Sequence, residues 1–299
     1  MADLTAKRFY RKSMNKIVGP AFILPAQVVI TVVTIFPFLY MLYLSFHRYS
    51  LVRRIAPRFI GFGNYITIFN DALFWNSLTR TFLFVATNLT LQLLLGLGVA
   101  LLLVQKVKFR KGFRTLLIVP LVVTPIVTGL IFKLLIYSGE FGILNYLLSI
   151  FNLPQPSWLT NRSYALLAII LTDTWQWTPF IVMALIAGLE SLPKEPYEAA
   201  RIDGASAWKT FVYITFPLLR PITLVVVLLR TFDLIREFDK VFILTEGGPG
   251  SATEVLGVFL YRIAFKLFNY GEASAIAVVV LILCFILTFA FKRVFAYHK

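Results

Sequence analysis

Long apolar stretches separated by short polar segments dominate the chain. Charged residues are absent or sparse in six stretches, which are residues 19–46, 77–105, 115–137, 165–189, 218–235 and 273–291. A transmembrane helix needs roughly 20 mostly apolar residues, whereas a secretory signal has an apolar core of only about 7–15. Because backbone polar groups must be satisfied within each segment in a membrane, the pattern predicts an all-α, polytopic bundle of six transmembrane helices. Pro20, Pro25 and Pro37 predict interruptions in the first helix.

The connections between these spans predict where the chain projects from the membrane. Residues 47–76, 138–164 and 236–272 are the three long connections on one side. The first has the pattern of a short amphipathic helix around Tyr65 to Phe69 that lies on the membrane surface. The third contains the sequence EGGPG, residues 246–250, which is typical of a turn.

Composition and charge agree with a membrane protein and give its expected orientation. The chain is 59% hydrophobic and 14% charged, against about 25% charged residues in soluble domains. Residues 1–18, 105–114, 190–220 and 292–299 together hold 17 of the 29 lysines and arginines. The positive-inside rule therefore places both termini in the cytoplasm, with residues 1–18 as a cytoplasmic tail and residues 19–299 as one transmembrane domain. The formal net charge of +15 is spread along the membrane-flanking segments, which favours the lipid bilayer over nucleic acid as a partner.

No pattern of residues indicates catalysis or metal binding. The single cysteine, Cys284, lies in the last predicted span, and the two histidines, His47 and His298, lie far apart at membrane edges. The sequence has neither the GxSxG nucleophile motif nor the GxxxxGK[ST] phosphate loop. We therefore expect no catalytic residue, metal site or bound cofactor in this chain, and a membrane-embedded enzyme is disfavoured.

One polar segment, residues 190–217, interrupts the apolar pattern on the predicted cytoplasmic side. Ser191 is a candidate cap for a helix beginning near Pro193, and Gly204 can end that helix with a positive φ angle. Ser206 is a candidate cap for a second helix, which begins at Ala207 and ends near Pro217. This segment, called the hairpin below, is predicted to project as a helix–turn–helix. From composition alone, an amphipathic helix on the lipid surface is the alternative.

Two predicted spans carry polar residues at membrane depth, where such residues are expensive and often functional. In the fourth span, Asp173, Gln176 or Trp177, and Phe180 recur at helical spacing. In the fifth, Arg230, Asp233 and Glu237 also share one face. We expect Arg230 to pair with Asp173 or Asp233, and two roles stay open for these charges: a structural link between helices or contact with a transported solute.

Polar residues in other spans have simpler interpretations. Asn88 and Gln92 are four residues apart in the second span and are expected to hydrogen-bond between helices. Lys133 lies near the outer end of the third span, where its long side chain can extend to the membrane surface.

The hairpin resembles a signature of ABC importer permeases. Its residues follow the spacing Glu-Ala-Ala, three residues, Gly, nine residues, Ile-x-Leu-Pro, with Phe216 in place of leucine. The matching residues are Glu198, Ala199, Ala200, Gly204, Ile214 and Pro217. Residues 42–46, 60–69 and 244–265 further resemble the carbohydrate permease subunits of the maltose-importer, MalF-like family. The resemblance extends over nearly the whole chain.

This resemblance implies a set of partners and roles. The chain would be one of two different permease subunits in the bacterial inner (plasma) membrane, served by an extracytoplasmic solute-binding protein. ATP and Mg²⁺ would be bound by a partner ATPase dimer that docks on the hairpin. The resemblance assigns this coupling role to Glu198, Ala199, Ala200, Asp203 and Gly204.

The same resemblance implies a carbohydrate pathway beside the hairpin. Its expected residues are Asp173, Thr174, Gln176, Trp177, Phe180, Arg230, Asp233 and Glu237. Arg230 leaves an acidic sugar open as cargo. A non-sugar solute and a secondary transporter working without ATP are the alternative functions.

Overall fold

The computed structural model describes residues 2–52, 56–105, 110–139 and 141–295. Helices account for nearly all of the regular structure of these residues. In chain order the elements are α1 (Ala2–Ser45), β1 (His47–Arg48), β2 (Arg58–Phe59), α2 (Gly63–Phe69), α3 (Ala72–Val104), α4 (Arg110–Val122), α5 (Pro125–Ile131), α6 (Ile143–Ile150), α7 (Ala165–Glu190), α8 (Glu195–Ile202), α9 (Ala207–Thr210), α10 (Phe216–Ile235), α11 (Asp239–Thr245), α12 (Leu256–Tyr261) and α13 (Tyr270–Phe295). Short π-helical turns, Phe132–Ile136, Phe211–Thr215 and Arg262–Lys266, continue α5, α9 and α12.

The predicted membrane bundle is confirmed, with one span broken. Within the described part of the chain, five helical segments are long and apolar enough to cross a membrane, namely Phe22–Ser45, Ala72–Val104, Ala165–Glu190, Ala207–Ile235 and Tyr270–Arg293. The sixth candidate is a pair of helical segments, Gly112–Val122 and Pro125–Ile136, bent by 97° at the break between them. The sequence pattern predicts a single transmembrane helix over residues 115–137. Because proline disfavours helical backbone in the preceding residue, Thr124 is extended (φ −65°, ψ 149°) and Pro125 begins a new helix.

The first helix contradicts the predicted interruptions at prolines. Helix α1 runs without a break from Ala2 to Ser45, past positions 20, 25 and 37, and includes most of the segment predicted as a tail. In a membrane no water is available to satisfy freed backbone groups, so the helix continues past these prolines. No residue of the most apolar window of the segment Phe22–Ser45 is buried within the chain, and α1 contacts the rest of the bundle mainly through α13.

Helix ends also differ from the predicted boundaries. Helix α3 begins at Ala72 rather than near Ser77, because the carboxylate of Asp71 accepts a 2.8 Å hydrogen bond from the Leu73 amide and caps it. The fifth span starts at Ala207 rather than Leu218, since the second arm of the hairpin continues through Pro217 into α10. Pro217 lies just after the π-helical turn Phe211–Thr215, at the start of α10. The short helix predicted in the first outer connection is confirmed as α2.

Helices α3 and α7 form the most extensive helix–helix contact. They carry most of the polar residues that the sequence places at membrane depth in the second and fourth spans. Gly96 makes their close approach possible, because a Cβ at this position would lie 2.6 Å from Cγ2 of Ile181. A Cβ on Gly98, two residues away on the same helix, would meet nothing within 4 Å.

We expect Gly96→Val to destabilise the protein and Gly98→Val to leave its stability unchanged or slightly higher. Overpacking a well-packed contact costs about 1–3 kcal/mol, whereas the added side chain at Gly98 has open space. Thermal unfolding of both purified variants measures the difference. Equal losses of melting temperature would show that the approach of α3 to α7 does not depend on Gly96.

Candidate functional site

The hairpin forms the helix–turn–helix predicted from its sequence. Gly204 has φ +67°, and its amide donates to the Arg201 carbonyl at 3.2 Å while the Ala205 amide donates to the Ala200 carbonyl at 2.9 Å. These two hydrogen bonds are the Schellman termination of α8, which favours glycine because of its left-handed backbone. Ser206 caps the second arm, since its hydroxyl accepts from the Lys209 amide at 3.3 Å.

The predicted start of the hairpin was wrong. Ser191 caps the end of α7 instead of the beginning of α8, because its hydroxyl donates back to the Gly188 carbonyl at 2.8 Å. Helix α8 therefore begins at Glu195, with Lys194 as its first flanking residue. Tyr197 of α8 donates to the Thr215 hydroxyl at 3.2 Å and joins the first arm to the second.

Most of the predicted coupling residues face outward. Glu198, Ala199, Asp203 and Gly204 are exposed, whereas Ala200 is buried and packs inside the hairpin. Their exposed surface also includes Ile202, which is 87% exposed. Glu198 makes no ion pair with any described residue. This surface offers a partner the carboxylates of Glu198 and Asp203 beside the apolar side chain of Ile202.

A buried charge network lies at the other end of the two helices that the hairpin joins. Its centre is Asp173 on α7, whose Oδ2 accepts hydrogen bonds from Gln92 Nε2 at 2.7 Å and Arg230 Nη2 at 2.8 Å. The second oxygen, Oδ1, lies 2.8 Å from Lys240 Nζ. Asp173 and Lys240 are fully buried and Arg230 is nearly so. The network thus connects α3, α7, α10 and α11.

Further contacts complete the network around its two cations. Lys240 Nζ lies 2.9 Å from Glu237 Oε2 and donates to Gln176 Oε1 at 3.3 Å. Arg230 Nε donates to Gln92 Oε1 at 3.1 Å. Lys240 lies in α11, beyond the fifth span. Burial alone would lower the pKa of Lys240, but Asp173 and Glu237 outweigh burial and raise this pKa above its usual value.

The expected pairing of Arg230 is confirmed with both candidate acids, since Asp233 Oδ2 also lies 3.7 Å from Arg230 Nη1. The prediction that Glu237 shares the helical face of Arg230 was wrong, because α10 ends at Ile235. Glu237 lies in the following loop and joins the network through Lys240.

Of the other predicted pathway residues, some are hydrogen-bonded and buried, and others are only partly buried. Thr174 donates to Asn88 Oδ1 at 3.2 Å and is buried, which confirms the expected interhelical role of Asn88. Trp177 packs its ring 4.7 Å from the Arg230 guanidinium carbon, and Phe180 meets Trp177 edge to face at 6.2 Å. Trp177, Phe180 and Asp233 are only partly buried.

Sequence reasoning missed Lys240 altogether and gave Gln92 only a general interhelical role. In the sequence, Lys240 follows an apolar span and has the pattern of an ordinary loop lysine. Its spacing of three residues from Glu237 was the signal that could have indicated a buried pair. Lys133 was expected to extend to the membrane surface; instead it donates to the Ile243 carbonyl at 2.8 Å and ties the third span to α11.

Gln176 connects the charge network to the break in the third span. Its Nε2 donates to the carbonyl of Val123 at 2.8 Å, and Val123 lies between α4 and α5. A carbonyl freed by a helix break needs a partner inside a membrane. Gln176 supplies this partner while its own oxygen receives Lys240.

We expect Gln176→Leu to loosen the break in the third span. The substitution leaves the Val123 carbonyl and the Lys240 ammonium each without one buried partner, at a cost of about 1–3 kcal/mol for a neutral group. Hydrogen exchange should speed up around residues 121–128, and the melting temperature should fall. Gln155→Leu is the control, because Gln155 is exposed in an outer connection. Unchanged exchange around the break would contradict this role of Gln176.

Comparisons with known proteins agree with one another. A family model described as binding-protein-dependent transport system inner membrane component matches residues 92–297. The trehalose/maltose transport system permease protein MalF of Thermococcus litoralis is 34% identical over 297 residues, which cover 99% of each chain. The lactose transport system permease protein LacF of Rhizobium radiobacter is 30% identical over 290 residues, covering 95% of this chain and 96% of its own.

A solved structure shares the fold. One chain of a bacterial ABC transporter involved in the import of the acidic polysaccharide alginate superposes with a TM-score of 0.81 at 19% identity. The match covers 97% of this chain and 98% of that chain.

Proposed function

The chain belongs to the family of binding-protein-dependent transport system inner membrane components, and we propose that it is one of two membrane subunits of an ATP-driven importer for a sugar or oligosaccharide. Family membership makes it a multi-pass inner-membrane transport subunit rather than an enzyme. One observation carries the proposal. The two helices that hold Asp173 and Arg230 in the charge network, α7 and α10, are the helices that the exposed hairpin joins.

The hairpin is the proposed docking site for a partner ATPase dimer that binds ATP and Mg²⁺. Glu198 is exposed and unpaired among the described residues, so it is available for charge-assisted hydrogen bonds to that partner. The second arm continues without a break into α10. A movement of the ATPase is therefore passed directly to a helix that lines the network, as in other switches made of rigid elements.

The proposed pathway residues have two different roles. In the first group the polar atoms bond to one another or to α3, α11 and the helix break, and they stabilise the wall of the pathway. This group consists of Asp173, Thr174, Gln176, Arg230 and Glu237. Trp177, Phe180 and Asp233 remain partly open and are the proposed contacts for cargo. Aromatic faces beside a hydrogen-bonding group are the combination expected of a sugar site.

An uncharged sugar is the better candidate than an acidic one. The guanidinium of Arg230 is 1% exposed and is engaged by Asp173, Gln92 and Asp233. Its charge is therefore balanced inside the protein and is not presented to a carboxylate on the cargo. Trehalose, maltose and lactose appear in the names of the relatives described above and are the first sugars to test.

Two further partners complete the proposed assembly. A second, different permease subunit would form the other half of the pathway. An extracytoplasmic solute-binding protein would deliver the sugar on the side away from the hairpin. We propose the cytoplasm as the location of both termini and of the hairpin, in agreement with the distribution of lysine and arginine.

Reconstitution separates this proposal from its alternatives. The chain, purified together with its partner subunits, should bring an ATPase, and binding protein loaded with trehalose, maltose or lactose should stimulate ATP hydrolysis. Purification without any ATPase would contradict the importer. Stimulation by a loaded binding protein that carries only a non-sugar solute would retain the importer and reject the carbohydrate.

A further inference from the structure

Six aromatic side chains form a continuous series on the side of the bundle away from the hairpin. They are Phe238, Phe242, Tyr261, Phe265, Tyr270 and Tyr49, and they are called the aromatic ladder below. Each ring contacts the next, although the residues come from the loop before α11, α11, α12, the π-helical turn Arg262–Lys266, α13 and the connection after β1. None of these six residues belongs to the charge network or to the hairpin.

Ring distances define the ladder. Phe238, Phe242 and Tyr261 form a triangle with centroids 4.8–5.1 Å apart. Tyr261 then contacts Phe265 at 5.4 Å, and Phe265 contacts Tyr270 at 6.5 Å. Tyr270 reaches Tyr49 at 6.1 Å. All of these separations are within the range of direct aromatic contact.

The ladder is not part of the buried core. Phe265 is 54% exposed, and the other five rings are half-buried. The hydroxyls of Tyr49, Tyr261 and Tyr270 make no hydrogen bond with any described residue, whereas the buried Tyr137 hydroxyl donates to the Ala168 carbonyl at 2.8 Å. Three phenol groups are thus available to a molecule that passes along the ladder.

Charged neighbours show that this face does not lie against lipid. Lys266 and Glu246 are both more than half exposed and lie 3.8 Å apart beside Phe242, with Lys266 Nζ 5.8 Å from the centre of its ring. Arg236 is 68% exposed and lies beside Phe238 in a cavity of about 360 Å³ that also touches Tyr261 and Phe265. Arg236, Glu246 and Lys266 all lie between the spans that end at Ile235 and begin at Tyr270, outside the membrane-spanning segments.

A second cavity also has Tyr261 in its lining. It measures about 230 Å³ and is lined by Phe242, Tyr261, Glu246, Arg262 and Lys266. Tyr261 therefore lines both cavities, one with several charged neighbours and the other mostly apolar apart from Arg236. A carbohydrate fits this chemistry, because the C–H face of a sugar ring packs on an aromatic ring while its hydroxyls bond to phenols and charged side chains.

The ladder also has a direction that suits transport. Phe238 follows Glu237 of the charge network, so one end lies beside the proposed wall of the pathway. Tyr49 follows the short strand β1 in the first outer connection, so the other end lies where the chain leaves the membrane. Helix α10 leads from the hairpin to the ladder, which places the ladder on the side opposite the proposed ATPase.

We propose that the aromatic ladder is a carbohydrate-binding track that guides a sugar from the binding protein towards Trp177 and Asp233. This inference rests on the proposed carbohydrate function and adds a separate binding site to it. The rings supply stacking surfaces at successive positions, and the charged groups beside them keep the sugar hydrated on its other side.

Uptake by the whole complex in proteoliposomes tests the track. Radiolabelled trehalose and maltose are the probes, delivered by the binding protein. Tyr261→Ala and Phe242→Ala should each lower the uptake rate about three- to tenfold, the loss expected for one stacking contact. ATP hydrolysis stimulated by loaded binding protein should persist, because the hairpin is unchanged. Tyr261→Phe should retain most uptake, since it keeps the ring.

Phe289→Ala is the matched control, because Phe289 is a 69% exposed ring on α13 outside the ladder. This variant should transport at the rate of the unmodified complex. Unchanged uptake in both Tyr261→Ala and Phe242→Ala would overturn the track. An unmodified complex that takes up no carbohydrate at all would overturn the proposed function itself.

Cysteine labelling provides a test that needs no transport. In a Cys284→Ser background, the Tyr261→Cys variant should react with a negatively charged, membrane-impermeant methanethiosulfonate reagent. Maltose-loaded binding protein should slow this reaction. A Tyr261→Cys variant that reacts only after denaturation would show that the ladder faces lipid or packed protein, and would overturn the track even in a complex that transports sugar.

Discussion

Replacing Glu198 with alanine should leave the chain in the membrane and abolish most ATP-driven uptake. Loss of one member of a buried, charge-assisted contact at an interface costs about 2–5 kcal/mol. The partner ATPase should therefore dissociate during purification or hydrolyse ATP without responding to loaded binding protein. Glu195→Ala is the control, because Glu195 is an exposed acid in the same helix outside the matched signature.

A second substitution in the hairpin separates shape from charge. Gly204→Val should have the same effect as Glu198→Ala, because a β-branched residue is strained at φ +67°. Crowding is not the cause, since a Cβ there meets nothing within 4 Å. Gly204→Asn should retain much of the coupling, because asparagine tolerates the left-handed backbone. Normal transport by both Glu198→Ala and Gly204→Val would contradict a docking role for the hairpin.

Asp173→Asn is expected to be the most damaging single substitution in the charge network. It removes the negative charge that Arg230 and Lys240 share, so these two cations stay buried without enough opposite charge. Removing one partner of a buried ion pair costs about 3–5 kcal/mol. The purified variant should unfold at a clearly lower temperature and accumulate poorly in the membrane. Asp233→Asn is the control, because its carboxylate is 43% exposed and exposed pairs contribute only about 0–1 kcal/mol.

The double variant Asp173→Asn/Lys240→Met shows whether the damage is electrostatic. Removing the cation together with its acid should restore part of the lost stability, because replacing a buried pair with apolar or neutral groups is often tolerated. The coupling energy follows from a double-mutant cycle of melting or denaturation data. An Asp173→Asn variant no less stable than Asp233→Asn would contradict the central place of Asp173.

Local patterns were sufficient to predict much of this architecture. Apolar segments of membrane length located the spans, and residues such as Gly204 and Ser206 carry their helix-ending and helix-starting roles in their own backbone and side-chain chemistry. The pair formed by Asp173 and Arg230 was predictable as well, since a charge in a membrane needs a partner and each span offered few.

Features that depend on distant contacts were not predictable from these patterns. The break at Val123 and Thr124 is stabilised by Gln176 from another helix, and Lys240 pairs with Asp173 across the bundle. The break and the buried lysine both depend on how the helices pack. The pattern of apolar and polar residues along the chain does not determine that packing. Ser191 shows the same limit on a smaller scale, because its hydroxyl could cap either of two neighbouring helices.

Sugar uptake by proteoliposomes that contain the whole complex is the decisive measurement for ATP-driven import coupled through the hairpin. With ATP inside and maltose- or trehalose-loaded binding protein outside, radiolabelled sugar should accumulate. Accumulation should require both ATP and binding protein and should disappear with Glu198→Ala. Sugar accumulation that continues without ATP, or that survives Glu198→Ala and Gly204→Val unchanged, would contradict an ATP-driven importer coupled through this hairpin.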